Sequence, residues 1–263
     1  YTLDLLTGGG QYMYIDWRLF TKKFPHAAGV LAEETAFVRA FNLAQHYFGM
    51  HESTPHIFAE SAAIISGANP AAAVTTYQNR TWGDQLIVIG NASDAPVTDS
   101  VTLHRPQDLG IDPAQAYGVF DIVERTYTRS SGADLDGALQ NLKLPANGLR
   151  LFYLHPIAAE RPQHIWGGKR IEEHWDPAAK RLSVRLSAPA GVTDSVFLNP
   201  GPQPIAAITV NGKPAAFAKS ADGKLLHGEV TFTRDPLLLE IELGPERQPW
   251  SVNAPTPLKL YPE

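Results

Sequence analysis

Chemistry in this chain concentrates at its start. Gly8, Gly9 and Gly10 precede Gln11, Tyr12, Asp16, Trp17 and Arg18 within a few residues. A glycine run lets backbone approach another group closely and reach positive φ. Asp16 supplies a carboxylate for proton transfer or for holding hydroxyls. Arg18, two residues on, is placed to bias that carboxylate toward its charged form. Trp17 offers a flat apolar platform, and Gln11 and Tyr12 add hydrogen-bonding groups beside it. The same Asp16–Arg18 set also suits a structural ion pair beneath a packed Trp. The glycines lack the Lys-Ser/Thr or Gly-x-Gly-x-x-Gly context of a phosphate cradle, so a tight turn accounts for them better.

Other clusters are less persuasive. His51 and His56 are five residues apart with Pro55 between them, whereas a zinc-binding helix needs its His pair four apart on one face. A loop with Ser53 or Thr54 as cap is the expectation there. No metal site is expected, although structural calcium at the Asp/Gly-rich loop Ser131–Gly137 stays open. No cofactor motif is present. Trp82, Trp166, Trp175 and Trp250 are stacking platforms if exposed and core residues if buried. Trp82, in a Gly-Asp-flanked turn, is the one expected to be most exposed and is a candidate binding residue. Gly-x-Ser-x-Gly is absent, which removes the usual α/β-hydrolase nucleophile elbow.

Composition narrows the class. The chain has 263 residues, 44% hydrophobic and 19% charged, with a formal net charge of −5. It can build real cores, and its scattered basic residues argue against nucleic acid as a partner. With no cysteine, disulfides, zinc-thiolate sites and Cys nucleophiles are excluded. No apolar run reaches the roughly 20 residues of a membrane span. Gly and Pro number 21 each and punctuate the chain as turns between short strands do.

These residues must be positioned by the elements around them. Gln11–Ile15 reads as a strand. An apolar stripe from Val30 to Phe48, stopped by Gly49, predicts a helix. A second, Ala-rich helix over Ile57–Ile65 is expected to be buried against another body. Strands are expected at Ala73–Gln78, Gln85–Asn91, Val97–Leu103, Tyr117–Glu124 and Gly148–His155, with a polar loop over 130–137. A further set follows at Arg170–Trp175, Arg181–Ser187, Ser195–Leu198, Ile205–Val210, Leu226–Thr233 and Leu237–Leu243. Asn211-Gly212 is a hairpin signal, and Asp176-Pro177 and Asp222-Gly223 mark turns. The tail from Glu246 is Pro-rich and reads as extended. The fold class is mainly β. A short N-terminal α/β segment over 1–72 precedes two antiparallel β-sandwiches, over 73–160 and 161–263.

This order resembles the C-terminal half of a multidomain glycoside hydrolase, in which a (β/α)8 barrel ends in a last strand and helix and β-sandwich domains follow. Residues 1–65 resemble the closing elements of such a barrel, and residues 73–156 the sandwich behind it. Leu142-Lys-Leu-Pro-Ala-Asn-Gly-Leu-Arg-Leu-Phe-Tyr-Leu-His155 is similar to the closing strands of those sandwiches. Ile208-Thr-Val-Asn-Gly-Lys-Pro214 is similar to a hairpin of their distal domains. No specific family is matched.

The resemblance implies a carbohydrate-active enzyme, most simply a glycoside hydrolase on an oligo- or polysaccharide, with the chain as the C-terminal portion of a longer protein. Asp16 would then act at the C-terminal end of a barrel strand. Gln11, Tyr12, Trp17, Arg18 and Trp82 would contact sugar. The implied partners are carbohydrate and an upstream barrel fragment or second chain, and the implied location is secreted, extracellular or periplasmic. The rival readings are a non-catalytic carbohydrate-binding or cell-surface adhesion protein, and an assembly protein that docks through its N-terminal segment.

Overall fold

A computed structural model describes residues 43–247 and 249–258. The described chain is mainly β, with several antiparallel sheets and few helices. It forms two compact units, one containing Met50–Leu154 and the other His46–Gly49 and His155–Thr256.

The first unit is built on β1 (Thr54–His56), α1 (Phe58–Ile64), β2 (Ile65–Gly67), β3 (Ala72–Asn79) and β4 (Asp84–Asn91). It continues through β5 (Val97–Asp99), β6 (Val101–Leu103), β7 (Ala116–Asp121), β8 (Thr126–Ser131), β9 (Leu142–Leu144) and β10 (Leu149–Pro156). Six strands form one sheet in the order β1-β3-β4-β10-β7-β8, and β2-β6 and β5-β9 form two-stranded ribbons. The central strand β4 reads Asp-Gln-Leu-Ile-Val-Ile-Gly-Asn and is buried at every residue. A continuous apolar run is what a strand covered on both faces requires, whereas a half-buried strand alternates.

Register divides that sheet into two sides. Ile87, Ile89, Phe152 and Leu154 share one face, and with Tyr117 and Val119 they join a core completed by Ile64, Ile65, Val101, Leu109, Leu135, Leu139 and Leu144. Each such aliphatic residue contributes about 1.5–3 kcal/mol on burial, an upper estimate because the unfolded chain already hides part of that surface. The opposite face carries Tyr77, Leu86, Val88, Leu151, Tyr153 and Phe120, which are buried as well.

Three expectations change. Val97–Leu103 is two strands rather than one, because Asp99 Oδ1 accepts the N–H groups of Ser100 and Asn69, at 2.9 and 2.8 Å. The chain turns there, so β5 pairs with β9 while β6 pairs with β2. The stretch expected as a polar loop ends β8 at Ser131 and then forms a 3-10 helix over Gly132–Leu139, whose Leu135 and Leu139 enter the core. In α1, Ser61 and Ile64 are buried but Ala59, Ala62 and Ala63 are exposed. A stripe at one i, i+3 spacing buries a single edge of so short a helix. The stretch 43–48 is helical, with Ala44, Tyr47 and Phe48 buried, and Gly49 ends it at φ 72°.

The second unit is a β-sandwich. One sheet runs β11 (Gln163–Trp166), β14 (Thr193–Asn199), β18 (Leu226–Thr231), β17 (Ala218–Lys219) and β20 (Ser251–Val252). The other runs β12 (Lys169–Asp176), β13 (Arg181–Ser187), β19 (Leu237–Leu243), β15 (Ile205–Val210) and β16 (Lys213–Pro214). Leu182, Val184 and Leu186 of β13, Leu237, Leu239 and Ile241 of β19, and Val196, Leu226 and Val230 of the first sheet fill the interior. The expected Asn211-Gly212 turn joins β15 to β16 with φ of 52° and 75°. Positive φ at both central residues matches the right-handed strand twist. Between β11 and β12, Gly167 at φ +94° lies so close to the Ser195 carbonyl that a Cβ would sit 2.3 Å from it.

Candidate functional site

The second face of the six-stranded sheet gathers the polar and aromatic groups that the apolar run would not lead one to expect. The β3–β4 connection, Asn79-Arg80-Thr81-Trp82-Gly83-Asp84, is held by Asn79, whose side-chain oxygen accepts the Thr81 N–H at 3.1 Å. Such a closure is an Asx turn, and Gly83 completes it at φ 72°. Register sets Asn79 directly across from Asp84 and Tyr77 across from Leu86. On the other side of β4, Tyr153 stands across from Leu86. From there the Tyr153 hydroxyl donates to the Asp84 carboxylate, and both residues are buried.

Farther along this face, Tyr127 lies across from Phe120. Burial pushes its phenol pKa above the usual range, against the opposing charge and hydrogen bond of Arg129. Tyr127 therefore keeps its proton. Chemically, this face offers one buried carboxylate, several phenols and an amide, a set suited to fixed polar contacts. Acid–base glycoside cleavage needs a pair of carboxylates flanking the bond, and one carboxylate does not make that pair.

The candidate residues distribute unevenly. Trp82 sits at the turn beside Asp84 and is half-buried. Gln11, Tyr12, Asp16, Trp17 and Arg18 lie outside the described residues. Asp84 and Tyr153 escaped the sequence reading. The available signals were an acidic residue opening an otherwise apolar run and a Tyr inside Leu-Phe-Tyr-Leu.

The remaining aromatic candidates are not surface platforms. Trp166 is buried and meets Tyr47 edge-on at 5.9 Å, and Trp175 and Trp250 are half-buried. Lys219 lies over the Trp250 ring, 5.9 Å from its centre. Among the described residues every Tyr is buried and no Trp is exposed.

The two-His segment resolves into separate roles. Exposed His51 lies 3.5 Å from Glu52, while buried His56 on β1 pairs with Glu60 at 2.8 Å. Thr54 starts β1 and caps no helix. Among the described residues no group of three or more His, Asp or Glu is placed to hold a metal ion. In the Ser131–Gly137 segment, Asp134 accepts the Ser131 hydroxyl at 2.6 Å and Asp136 accepts the Leu103 N–H at 2.8 Å.

Among the described residues of the second unit, His164 is strongly perturbed. Burial drives the His164 pKa down to about 3, helped by the Arg170 charge and resisted by hydrogen bonds to the Gly167 and Trp166 backbone. Its Nε2 is 3.1 Å from the Gly167 carbonyl. The ring is thus a neutral core residue that braces the glycine turn.

No family profile and no curated protein sequence matches the chain. Among solved structures, its neighbours include glycoside hydrolases of family 86. One is a BuGH86 variant in complex with neoagarooctaose, 11% identical, covering 68% of this chain and 32% of that one at a TM-score of 0.22. Another is a β-porphyranase of that family from the human gut bacterium Bacteroides plebeius, 10% identical, covering 71% and 35% at a TM-score of 0.19. The chain spans about a third of the length of these enzymes. No helix among the described residues is long and apolar enough to cross a membrane.

Proposed function

We propose that this chain is the C-terminal part of a carbohydrate-active enzyme, a glycoside hydrolase acting on an oligo- or polysaccharide, with β-rich accessory units. The observation that carries the reading is the two-sided burial of the six-stranded sheet. A sheet that has its own core on one face and keeps Tyr77, Leu86, Val88, Leu151 and Tyr153 buried on the other is layered on both sides within this chain. Such layering favours a rigid accessory unit of a larger enzyme. In this reading Asp16 supplies the acid–base or hydroxyl-binding carboxylate, Gln11, Tyr12, Trp17 and Arg18 contact sugar beside it, and Trp82 does so from its turn. The second carboxylate comes from the adjoining domain.

The non-catalytic binding-module reading calls for exposed, coplanar aromatics on one sheet face. The burial of every described Tyr, with no described Trp exposed, weighs against it. The test is to incubate the natural gene product with a panel of polysaccharides and oligosaccharides, neoagarooctaose included, and to resolve the products by chromatography. Cleavage of at least one glycan is expected. Retention of a glycan without any cleavage would overturn the enzyme reading in favour of a binding module.

A further inference from the structure

On the core face of the six-stranded sheet, three buried polar atoms have no protein partner: His56 Nε2, Thr76 Oγ1 and Gln85 Oε1. Register places Thr76 beside each of the other two. His56 on β1 is directly opposite Thr76 on β3. Thr76 is opposite Ile87 and Gln78 is opposite Gln85, so Thr76 and Gln85 are diagonal neighbours on that face. Opposite side chains on a sheet face lie about 4.5–5.5 Å apart at Cβ, and diagonal ones remain within reach of a long side chain.

Hydrogen-bonding roles follow from the other contacts of the same groups. His56 Nδ1 lies 2.8 Å from the Glu60 carboxylate, which only accepts. Nδ1 therefore carries a proton, and in the tautomer this selects Nε2 is an acceptor. Gln85 Nε2 donates to the Leu109 carbonyl at 2.7 Å, which fixes the amide and leaves Oε1 as an acceptor facing the interior. Thr76 has a hydroxyl proton to give.

We propose that these three atoms form a site for one ordered internal water. The water donates to His56 Nε2 and to Gln85 Oε1 and accepts from the Thr76 hydroxyl. Two donated bonds and one accepted bond match the usual complement of a buried water, and each orphaned atom is satisfied. The site joins the edge strand β1 to β3 and β4. Glu60, on the first turn of α1, sets the tautomer from outside.

A high-resolution crystal structure of the chain tests this directly, with long-range proton–nitrogen NMR of His56 and a Thr76→Val, Gln85→Leu double-mutant cycle. The expected result is a single peak within hydrogen-bonding distance of all three atoms and a His56 proton on Nδ1. The loss in unfolding midpoint for the double variant should also be smaller than the sum of the two single losses, because either substitution alone disrupts the shared water. The proposal is overturned by a core with no such peak, by a neutral His56 protonated on Nε2, or by strictly additive midpoint losses.

Discussion

In β13, Leu182, Val184 and Leu186 point inward while Arg181 and Arg185 are exposed, whereas in β4 all eight residues are buried. The two strands sit in sheets of different obligation. The sheet holding β13 closes a sandwich with one face and gives the other to solvent. The sheet holding β4 has a complete core against its ribbons and 3-10 helix and still covers its other face. Polar groups behave accordingly. Charged residues on the outer side of β13 pair loosely, as Arg185 does with Glu172 at 3.7 Å, while the polar groups on the second face of the first sheet are buried and bonded, as Asp84 and Tyr153 are. Two-sided burial means that this chain itself covers both faces of the first sheet, whereas the sheet of β13 is covered on one.

The sharpest way to break this contrast is to truncate neighbouring β4 residues on opposite faces. Leu86→Ala and Ile87→Ala should each cost about 2–5 kcal/mol in chemical denaturation, because both lie in packed surroundings. If Leu86→Ala costs no more than the roughly 0.5 kcal/mol of a surface change, the second face is not packed and the contrast fails.

The second unit has its own signature in acid. His164 stays neutral in the fold down to about pH 3, while an unfolded His protonates near its ordinary value of 6.5. Between those values the unfolded state binds the extra proton, so stability is complete above about pH 6.5 and falls as pH drops toward 3. Hydrogen exchange of the second unit's strands over this range should show the loss, and His164→Gln should flatten the slope. An unchanged slope in that variant would mean that other groups control the acid sensitivity.

Removing the buried hydroxyl is a smaller test. Tyr153→Phe leaves the Asp84 carboxylate without one of its donors and should cost about 1–3 kcal/mol. A neutral outcome would show that the pair contributes nothing to the second face. The smallest effect belongs to the exposed side of β13, where Arg185→Ala should change stability by less than about 0.5 kcal/mol. A larger loss there would mean that this face is packed too.

Much of this fold is legible in the sequence. The expected strands Arg181–Ser187, Ile205–Val210 and Leu237–Leu243 coincide with β13, β15 and β19, and in β13 the half-buried strand writes its two faces into alternate residues. The Asn211-Gly212 turn was readable for a similar local reason. The break at Ser100 was not, since it depends on Asp99 reaching Asn69 thirty residues away. The Asp84–Tyr153 contact joins residues 69 apart, a pairing that only strand order creates. Of the candidate site, Trp82 could be followed into the fold, while Asp16 and its neighbours lie outside the described residues.

The claim that a carboxylate of this chain takes part in glycan cleavage is tested most directly by comparing the natural gene product with its Asp16→Asn variant on whichever glycan the panel identifies. The account predicts that cleavage falls by about 10²-fold or more, the scale of a lost general acid–base group, with an unchanged unfolding midpoint. Equal cleavage rates in the two proteins would contradict it.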